Sequence, residues 1–181
     1  LDEPRRNLPS LFLFDLQEEQ LPAVQSLLES EGTPLGNVTP WVRGKIKTLK
    51  GLPYQRSLRR EEEMNNPDEQ RRNAFRNRSF NLSYREHLLE SEQLLAGRPF
   101  SGRYEPTTGK PAEISVEHKY AQALGLNLGD RMGIEVSGIL IEAEVVNLRR
   151  VRWTSFQPNF FVQMQPGVLD RAPKTFLGTL H

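Results

Sequence analysis

Short apolar segments separated by turn residues recur along the chain, and their spacing predicts its secondary structure. Residues 11–16 form an aromatic-rich apolar run after Pro9, which favours a buried strand. Residues 18–29 place apolar side chains at helical intervals and end before Gly32, whereas residues 38–49 alternate in part, as a strand does. Strand, helix and strand in this order predict a compact β-α-β unit.

The later part of the chain is predicted to consist mainly of short strands. A two-turn helix is expected over residues 117–124, with Gly125 ending it in the left-handed conformation. Residues 131–148 alternate on both sides of Ser137-Gly138, which predicts a hairpin with its turn at those two residues. Three further strands are predicted, at residues 80–84, 114–116 and 160–164.

The segment 56–78 differs in kind from its surroundings. It holds seven arginines and five acidic residues among its 23 positions. The interleaved acids would repel phosphate, so we interpret the segment as a solvated loop or helix and not as an RNA-binding arm.

Composition narrows the class of protein. The 181 residues are 36% hydrophobic and 26% charged, with 24 basic and 23 acidic side chains and a mean hydropathy of −0.59. This balance gives no overall attraction for DNA or an anionic membrane, and no apolar run approaches the ~18 residues of a membrane span. The polar composition predicts an open or elongated domain. The absence of cysteine from the sequence excludes disulfides and thiolate-based metal sites.

Candidate chemistry is sparse, and we predict no catalytic, cofactor or metal site. The three histidines lie outside any recognisable ligand spacing, and no nucleophile-elbow motif is present. Residues 102–110 resemble a phosphate-binding loop only loosely, because six residues separate the glycines and Pro111 stands where a hydroxyl would bind magnesium. A hydrolase site assembled from scattered Ser, His and Asp side chains, with Ser83 or Ser115 as nucleophile, stays an alternative.

Arginines and aromatic residues cluster near the end of the chain. A platform for single-stranded nucleic acid would look similar, but alternation in a β context favours core packing. We therefore predict that Trp153 and Phe161 are largely buried. The candidates for ion pairs or partner contacts are four arginines: Arg43, Arg149, Arg150 and Arg152.

The segment 114–130 combines a strand, a short helix and the sequence Leu-Gly-Leu-Asn-Leu-Gly-Asp before a hairpin. This segment resembles the extracytoplasmic domain of FtsX/MacB-like ABC-transporter permeases. Further segments resemble the YbbP-like subgroup in particular: 11–17, 40–46, 149–162, 166–167 and 173–176. The resemblance extends over nearly the whole chain and is weakest at 56–78.

The resemblance implies an α+β fold, the two-lobed MacB-like periplasmic core domain. One β-α-β porter-like lobe would comprise residues 1–84 and 148–181, and a smaller β-rich lobe would be inserted at residues 85–147. The implied function is non-catalytic: the domain would transmit ATP-driven motion of membrane helices to a lipid, lipoprotein, peptide or envelope partner. A separate cytoplasmic ABC ATPase would be the partner of the permease in the cell inner membrane, with this domain facing the periplasm.

Two rival functions stay open at this point, an envelope hydrolase and a nucleic-acid-binding module. The sequence leaves the cargo and the role of segment 56–78 undefined. A domain inserted between two membrane helices leaves and re-enters the bilayer on one side. We therefore expect Leu8 and Phe176 at the same pole, within about 25 Å of each other, because packed helices lie ~8–10 Å apart and one helix can intervene.

Overall fold

The computed structural model describes residues 9–54, 79–154 and 157–181. The charged segment 56–78 and Leu8 lie outside these residues, so the expectations for them stay predictions. The helices are α1 (Leu21–Ser30) and α2 (His118–Leu124), with single 3-10 turns at Glu18–Gln20 and Pro106–Thr108. The strands are β1 (Leu11–Leu16), β2 (Thr39–Leu49), β3 (Leu52–Pro53), β4 (Phe80–Tyr84), β5 (Glu92–Gly97), β6 (Ala112–Glu117), β7 (Arg131–Val136), β8 (Ile139–Val151), β9 (Val162–Met164) and β10 (Thr175–Leu180).

The predicted β-α-β unit is present as β1, α1 and β2. The last strand, β10, lies between β1 and β2 and is antiparallel to both, so β1 and β2 run parallel to each other. Leu11 pairs with Leu180, and the Ser10 amide donates to the Leu180 carbonyl at 2.7 Å. The two ends of the described chain therefore lie side by side.

Six strands close into a barrel in the order β2, β4, β9, β6, β8, β7 and back to β2. The pairs β4–β9 and β6–β8 are parallel, and the other four pairs are antiparallel. β2 is long enough to leave the three-stranded sheet with β10 and enter the barrel. Outside the barrel, β5 extends the sheet by pairing with β8.

Branched and sulfur-containing side chains fill the barrel and exclude water from it. α2 adds Tyr120, Ala121 and Leu124 to the same apolar cluster. Burial of this apolar area is the main stabilising contribution to the fold. The least exposed members, at 1% or below, include Val42, Leu82, Ile114, Val116, Met132, Ile134, Val145, Val162 and Met164.

Two turns confirm the sequence predictions in detail. The side chain of Glu117 caps α2 by accepting a hydrogen bond from the Tyr120 amide at 2.8 Å, and Gly125 ends the helix at φ 68°. Ser137 and Gly138 have φ values of 48° and 81° in the tight turn between β7 and β8. Two consecutive positive φ angles are typical of the turn that matches the twist of paired strands.

The barrel contains strands from both of the predicted lobes. β2, β4 and β9 come from the residues assigned to the first lobe, and β6 and β7 come from those assigned to the inserted lobe. All five lie in the one barrel, together with β8, which crosses the predicted boundary. The two-lobe organisation stays a prediction.

Candidate functional site

A layer of buried polar side chains covers the outer face of β6. Alternation along β6 directs Ile114 and Val116 to one face, where they join the apolar core. Its other face carries Glu113, Ser115 and Glu117, and these are buried as well, at 8% exposure or less. Buried polar groups require partners, because an unpaired one loses its hydrogen bonds to water. The hydrogen-bond partners of these side chains therefore determine which of them are occupied within the protein and which are left to bind a ligand.

Strand pairing places three of the polar side chains in one row. Ser115 is the Cα partner of Gln163 on β9 and of Asn147 on β8. Directly paired residues point to the same face of a sheet, so the three side chains lie next to one another. Gln163 and Asn147 are 2% and 3% exposed. The row is thus a hydroxyl flanked by two carboxamides, out of contact with bulk water.

Arg149 anchors one end of the layer. Its side chain is fully buried; its Nε donates to Ser115 Oγ at 3.1 Å, and its Nη2 donates to the Phe160 carbonyl. Its Nη1 lies 3.2 Å from Glu92 Oε1, and the Glu92 side chain is also without exposure. Burial lowers the pKa of Arg149, while the carboxylate of Glu92 raises it. The opposite charge offsets the cost of burying the guanidinium.

Glu92 also holds the loop before β5. Its Oε2 accepts a hydrogen bond from the Leu89 amide at 3.0 Å and lies 3.6 Å from Nη1 of Arg85. Arg85 donates in turn to the Pro158 carbonyl at 3.1 Å. One carboxylate therefore lies between two arginines and ties together two segments that cover the polar face.

Glu113 anchors the other end of the layer. It accepts hydrogen bonds from Arg98 Nη2 at 2.7 Å, and from the amide and hydroxyl of Ser101 at 2.8 Å each. Burial raises the pKa of Glu113, but these hydrogen bonds outweigh burial and hold its pKa below the ordinary value of 4.5. The loop after β5 is thereby fastened to β6.

A cavity of about 270 Å³ lies between the polar row and the covering loops. Ser115, Asn147 and Gln163 contribute uncharged polar groups to its lining, and Leu94 and Phe100 contribute to its apolar walls. Glu86 and His87, both exposed, mark its open side. The remaining lining residues are Arg85, Leu88, Glu92 and Pro99. We call this space the row cavity.

Arg149 takes the first of the two roles predicted for the four arginines, an ion pair. It is fully buried against Glu92, so the second role, a partner contact, does not apply to it. Arg43, Arg150 and Arg152 are exposed, and their role as partner contacts stays a prediction.

The predicted burial of Trp153 is wrong, because 48% of this side chain is exposed. Phe161 is half-buried and stacks on the ring of Tyr120, with 4.8 Å between ring centroids. Trp153 covers the other end of this stack, 4.9 Å from Phe161. Burial raises the pKa of Tyr120. Tyr120, Phe161 and Trp153 thus form a series from the core to the surface, and Trp153 lies outside the core.

Two possible catalytic residues line the same cavity, but neither activates the other through a hydrogen bond in the structure. Ser115 and His87 both line the row cavity, but the hydrogen bond recorded for the Ser115 hydroxyl is with Arg149, which is no base. The hydroxyl of Ser83 donates to the Pro40 carbonyl at 2.6 Å. Across the described ranges, no three His, Asp or Glu side chains gather as metal ligands would. This arrangement supports binding more directly than it supports nucleophilic catalysis.

Sequence reasoning missed Gln163, Asn147 and Glu92. The apolar neighbours of Gln163 suggest a core strand, and nothing local indicates that its polar side is also covered. Gln163 and Gln165 alternate with Val162 and Met164, which was the available signal for a strand with one polar face.

Comparison with known proteins shows a similarity in sequence. The chain is similar in sequence to an ABC transporter permease and is permease-like over 93% of its length. That relative is the uncharacterized ABC transporter permease YbbP of Escherichia coli strain K12, which is 26% identical over 169 residues. The chain spans only 18% of the length of this permease.

Two further comparisons add nothing to this similarity. No protein-family model matches the chain, and no solved structure matches it. Among the residues that the structure describes, no helix is long and apolar enough to cross a membrane.

Proposed function

We propose that this chain is a non-catalytic extracytoplasmic domain of an ABC-transporter permease. The observation that carries the proposal is the similarity to a permease over 93% of this chain but only 18% of the permease. A segment of 181 residues has the usual size of one domain. The FtsX/MacB-like class and the periplasmic core fold, implied by the resemblance above, are part of this proposal.

The geometry of the chain ends supports an inserted domain. β1 and β10 are neighbours, with Leu11 opposite Leu180, so the chain enters and leaves the fold at one place. A domain held between two membrane helices needs this arrangement. Adjacent ends also occur in ordinary domains, so they support the proposal without carrying it.

The closed barrel is rigid enough to transmit motion from one part of the protein to another. Each barrel strand is hydrogen-bonded on both sides, and packed interiors deform little under load. We propose that a cytoplasmic ABC ATPase drives the membrane helices, and that the domain moves as a rigid body against a lipid, lipoprotein, peptide or envelope partner. The full-length protein would reside in the inner membrane with this domain in the periplasm.

The orientation can be tested by labelling single cysteines, since this chain has none of its own. In a cysteine-free background of the full-length protein, Lys110→Cys introduces an exposed thiol and Val116→Cys a thiol inside the barrel. A membrane-impermeant maleimide should label the first variant in intact cells and the second only after denaturation. Labelling of the first variant only after the inner membrane is opened would contradict a periplasmic domain.

Transmission of motion needs a second measurement. The full-length protein and its ATPase, reconstituted in nanodiscs with spin-labelled lipid headgroups, would carry a fluorophore on the Lys110→Cys variant. ATP should change the quenching of this fluorophore by the lipid. The distance between labels at positions 43 and 110 serves as the control and should stay constant. Unchanged quenching in an assembly that hydrolyses ATP would refute transmission through this domain.

A further inference from the structure

Gln163 differs from every other side chain discussed in the polar layer. Both atoms of its carboxamide, Oε1 and Nε2, are buried without a hydrogen-bond partner in the structure. The Oδ1 atom of Asn147 is in the same state, although its Nδ2 donates to the Arg98 carbonyl at 2.9 Å. Both residues line the row cavity. Unpaired buried polar atoms are rare in folded proteins and require an explanation.

A glutamine just after the same strand shows what a hydrogen-bonded carboxamide looks like here. Gln165 directly follows β9, two positions after Gln163, and is also buried. Its Oε1 accepts from the Glu113 amide at 3.1 Å, and its Nε2 donates to the Gly102 carbonyl at 2.9 Å. The layer can therefore pair a buried carboxamide fully, and at Gln163 it does not.

The charges around the row cavity favour a neutral ligand. Arg85, Glu86 and Glu92 line the cavity. Arg149 lies outside the lining, but its Nη1 is 3.2 Å from Glu92, so it adds a second positive charge beside the two negative ones. An ionic ligand would bring a charge into a space whose charges already balance. Desolvating that charge without a counter-charge is unfavourable.

We propose that the row cavity binds an uncharged peptide segment with an apolar side chain. The amide of Gln163 presents one donor group and one acceptor, and Asn147 Oδ1 presents a second acceptor, which together match the C=O and N–H of a peptide bond. Leu94 and Phe100 provide the apolar surface for the side chain. A volume of about 270 Å³ limits the occupant to about one or two residues.

This inference goes beyond the proposed function and does not depend on it, because the cavity lies within the 181-residue chain. Its test uses the chain in solution without membranes or ATPase, so its failure and that of the permease role are distinguishable. The probe is N-acetyl-leucyl-leucine amide, a neutral mimic of an internal peptide segment. Two matched compounds accompany it: the ester analogue that lacks the central N–H, and the zwitterionic dipeptide Leu-Leu, which represents a free peptide.

Titration is followed by NMR, through the side-chain amide signals of Gln163 and Asn147. We expect saturable shifts with the blocked dipeptide, and at least tenfold weaker binding of both the ester and the zwitterion. Equal binding of the zwitterion would reassign the site to free peptides and overturn the internal-segment proposal. Absence of shifts in both side-chain amides up to the solubility limit would mean that the cavity holds water only.

Two substitutions separate binding from structure. Gln163→Met removes the unpaired carboxamide at similar volume, so it should weaken binding at least tenfold without lowering the melting temperature. Gln165→Met removes a fully bonded carboxamide and should lower the melting temperature while leaving affinity within about twofold. If Gln163→Met destabilises the chain as much as Gln165→Met, or binds the probe normally, the proposal is wrong.

Discussion

The guanidinium of Arg149 and the carboxylate of Glu92 meet at 3.2 Å, with no solvent exposure on either side chain. Each is the counter-charge that makes burial of the other tolerable. The pair connects β8 to β5. Glu92 lines the row cavity, whereas Arg149 lies behind the lining and donates to Ser115, so the pair holds the site from both sides.

Replacing Arg149 should be strongly destabilising. Arg149→Met leaves Glu92 buried with only the more distant Arg85, and loss of one member of a buried ion pair costs about 3–5 kcal/mol of unfolding free energy. Arg150→Met alters the next residue on the same strand, which is exposed, and should change stability by less than about 0.5 kcal/mol. Urea unfolding of both variants measures the difference. Equal effects would show that the pair contributes nothing specific.

Glu113 should make the stability of the chain sensitive to acid. Its pKa is lower in the folded state than in the unfolded state, so its contribution is present above about pH 4.5 and is lost as the pH falls through the folded value. Glu113→Gln should therefore flatten the acid limb of a plot of unfolding free energy against pH. Glu105→Gln, at an exposed loop position, is the control and should leave that limb unchanged. An identical acid limb in the two variants would contradict the assignment.

The aromatic stack should respond unevenly to truncation. Phe161 is half-buried between Tyr120 and Trp153, so Phe161→Ala should cost about 2–3 kcal/mol, somewhat below the value for a fully buried phenylalanine. Trp153→Ala should cost about 1 kcal/mol, since the ring is half exposed and mainly loses one aromatic contact. Thermal unfolding ranks the two. A larger loss for Trp153 would mean that its exposure in solution is smaller than in the structure.

The chain should neither bind nor hydrolyse ATP. The segment 102–110, which superficially resembles a phosphate loop, begins beside a carboxylate: the amide of Ser101, the residue before it, donates to Glu113, and the Gly102 carbonyl accepts from Gln165. A carboxylate at the backbone amide repels phosphate where a phosphate loop would attract it. Isothermal calorimetry with ATP and magnesium should give no heat of binding. Stoichiometric binding would contradict this prediction.

Local patterns predicted the elements that have one apolar face or a special turn. The hairpin of β7 and β8 follows from alternation around Ser137-Gly138, and α2 follows from its apolar spacing and Gly125. These signals are strong because one face of each element is buried and the turn backbone needs particular residues.

Such local patterns could not predict the polar site. The sequence of β6, Ala-Glu-Ile-Ser-Val-Glu, predicts a strand with one solvent-exposed face, yet all six residues are buried. The polar face is buried because β6 pairs with β8 and β9, which are distant in sequence, and because loops cover it. Arg149 likewise stands in a basic run, and its partner Glu92 lies near the start of β5, two positions before the residue paired with Arg149. Ion pairs between strands far apart in sequence leave no local signal.

The position of β10 has a consequence for the order in which the molecule assembles. β1 and β2 are synthesised first, but the strand that joins them comes last. All six barrel strands precede Thr175, so the barrel can close before β1 has a strand to pair with. Contacts between distant parts of a chain form late because closing a long loop costs entropy. We therefore expect a chain halted before Thr175 to contain a folded barrel with a loose β1, and the six-residue β10 to be the strand that fixes β1 to β2.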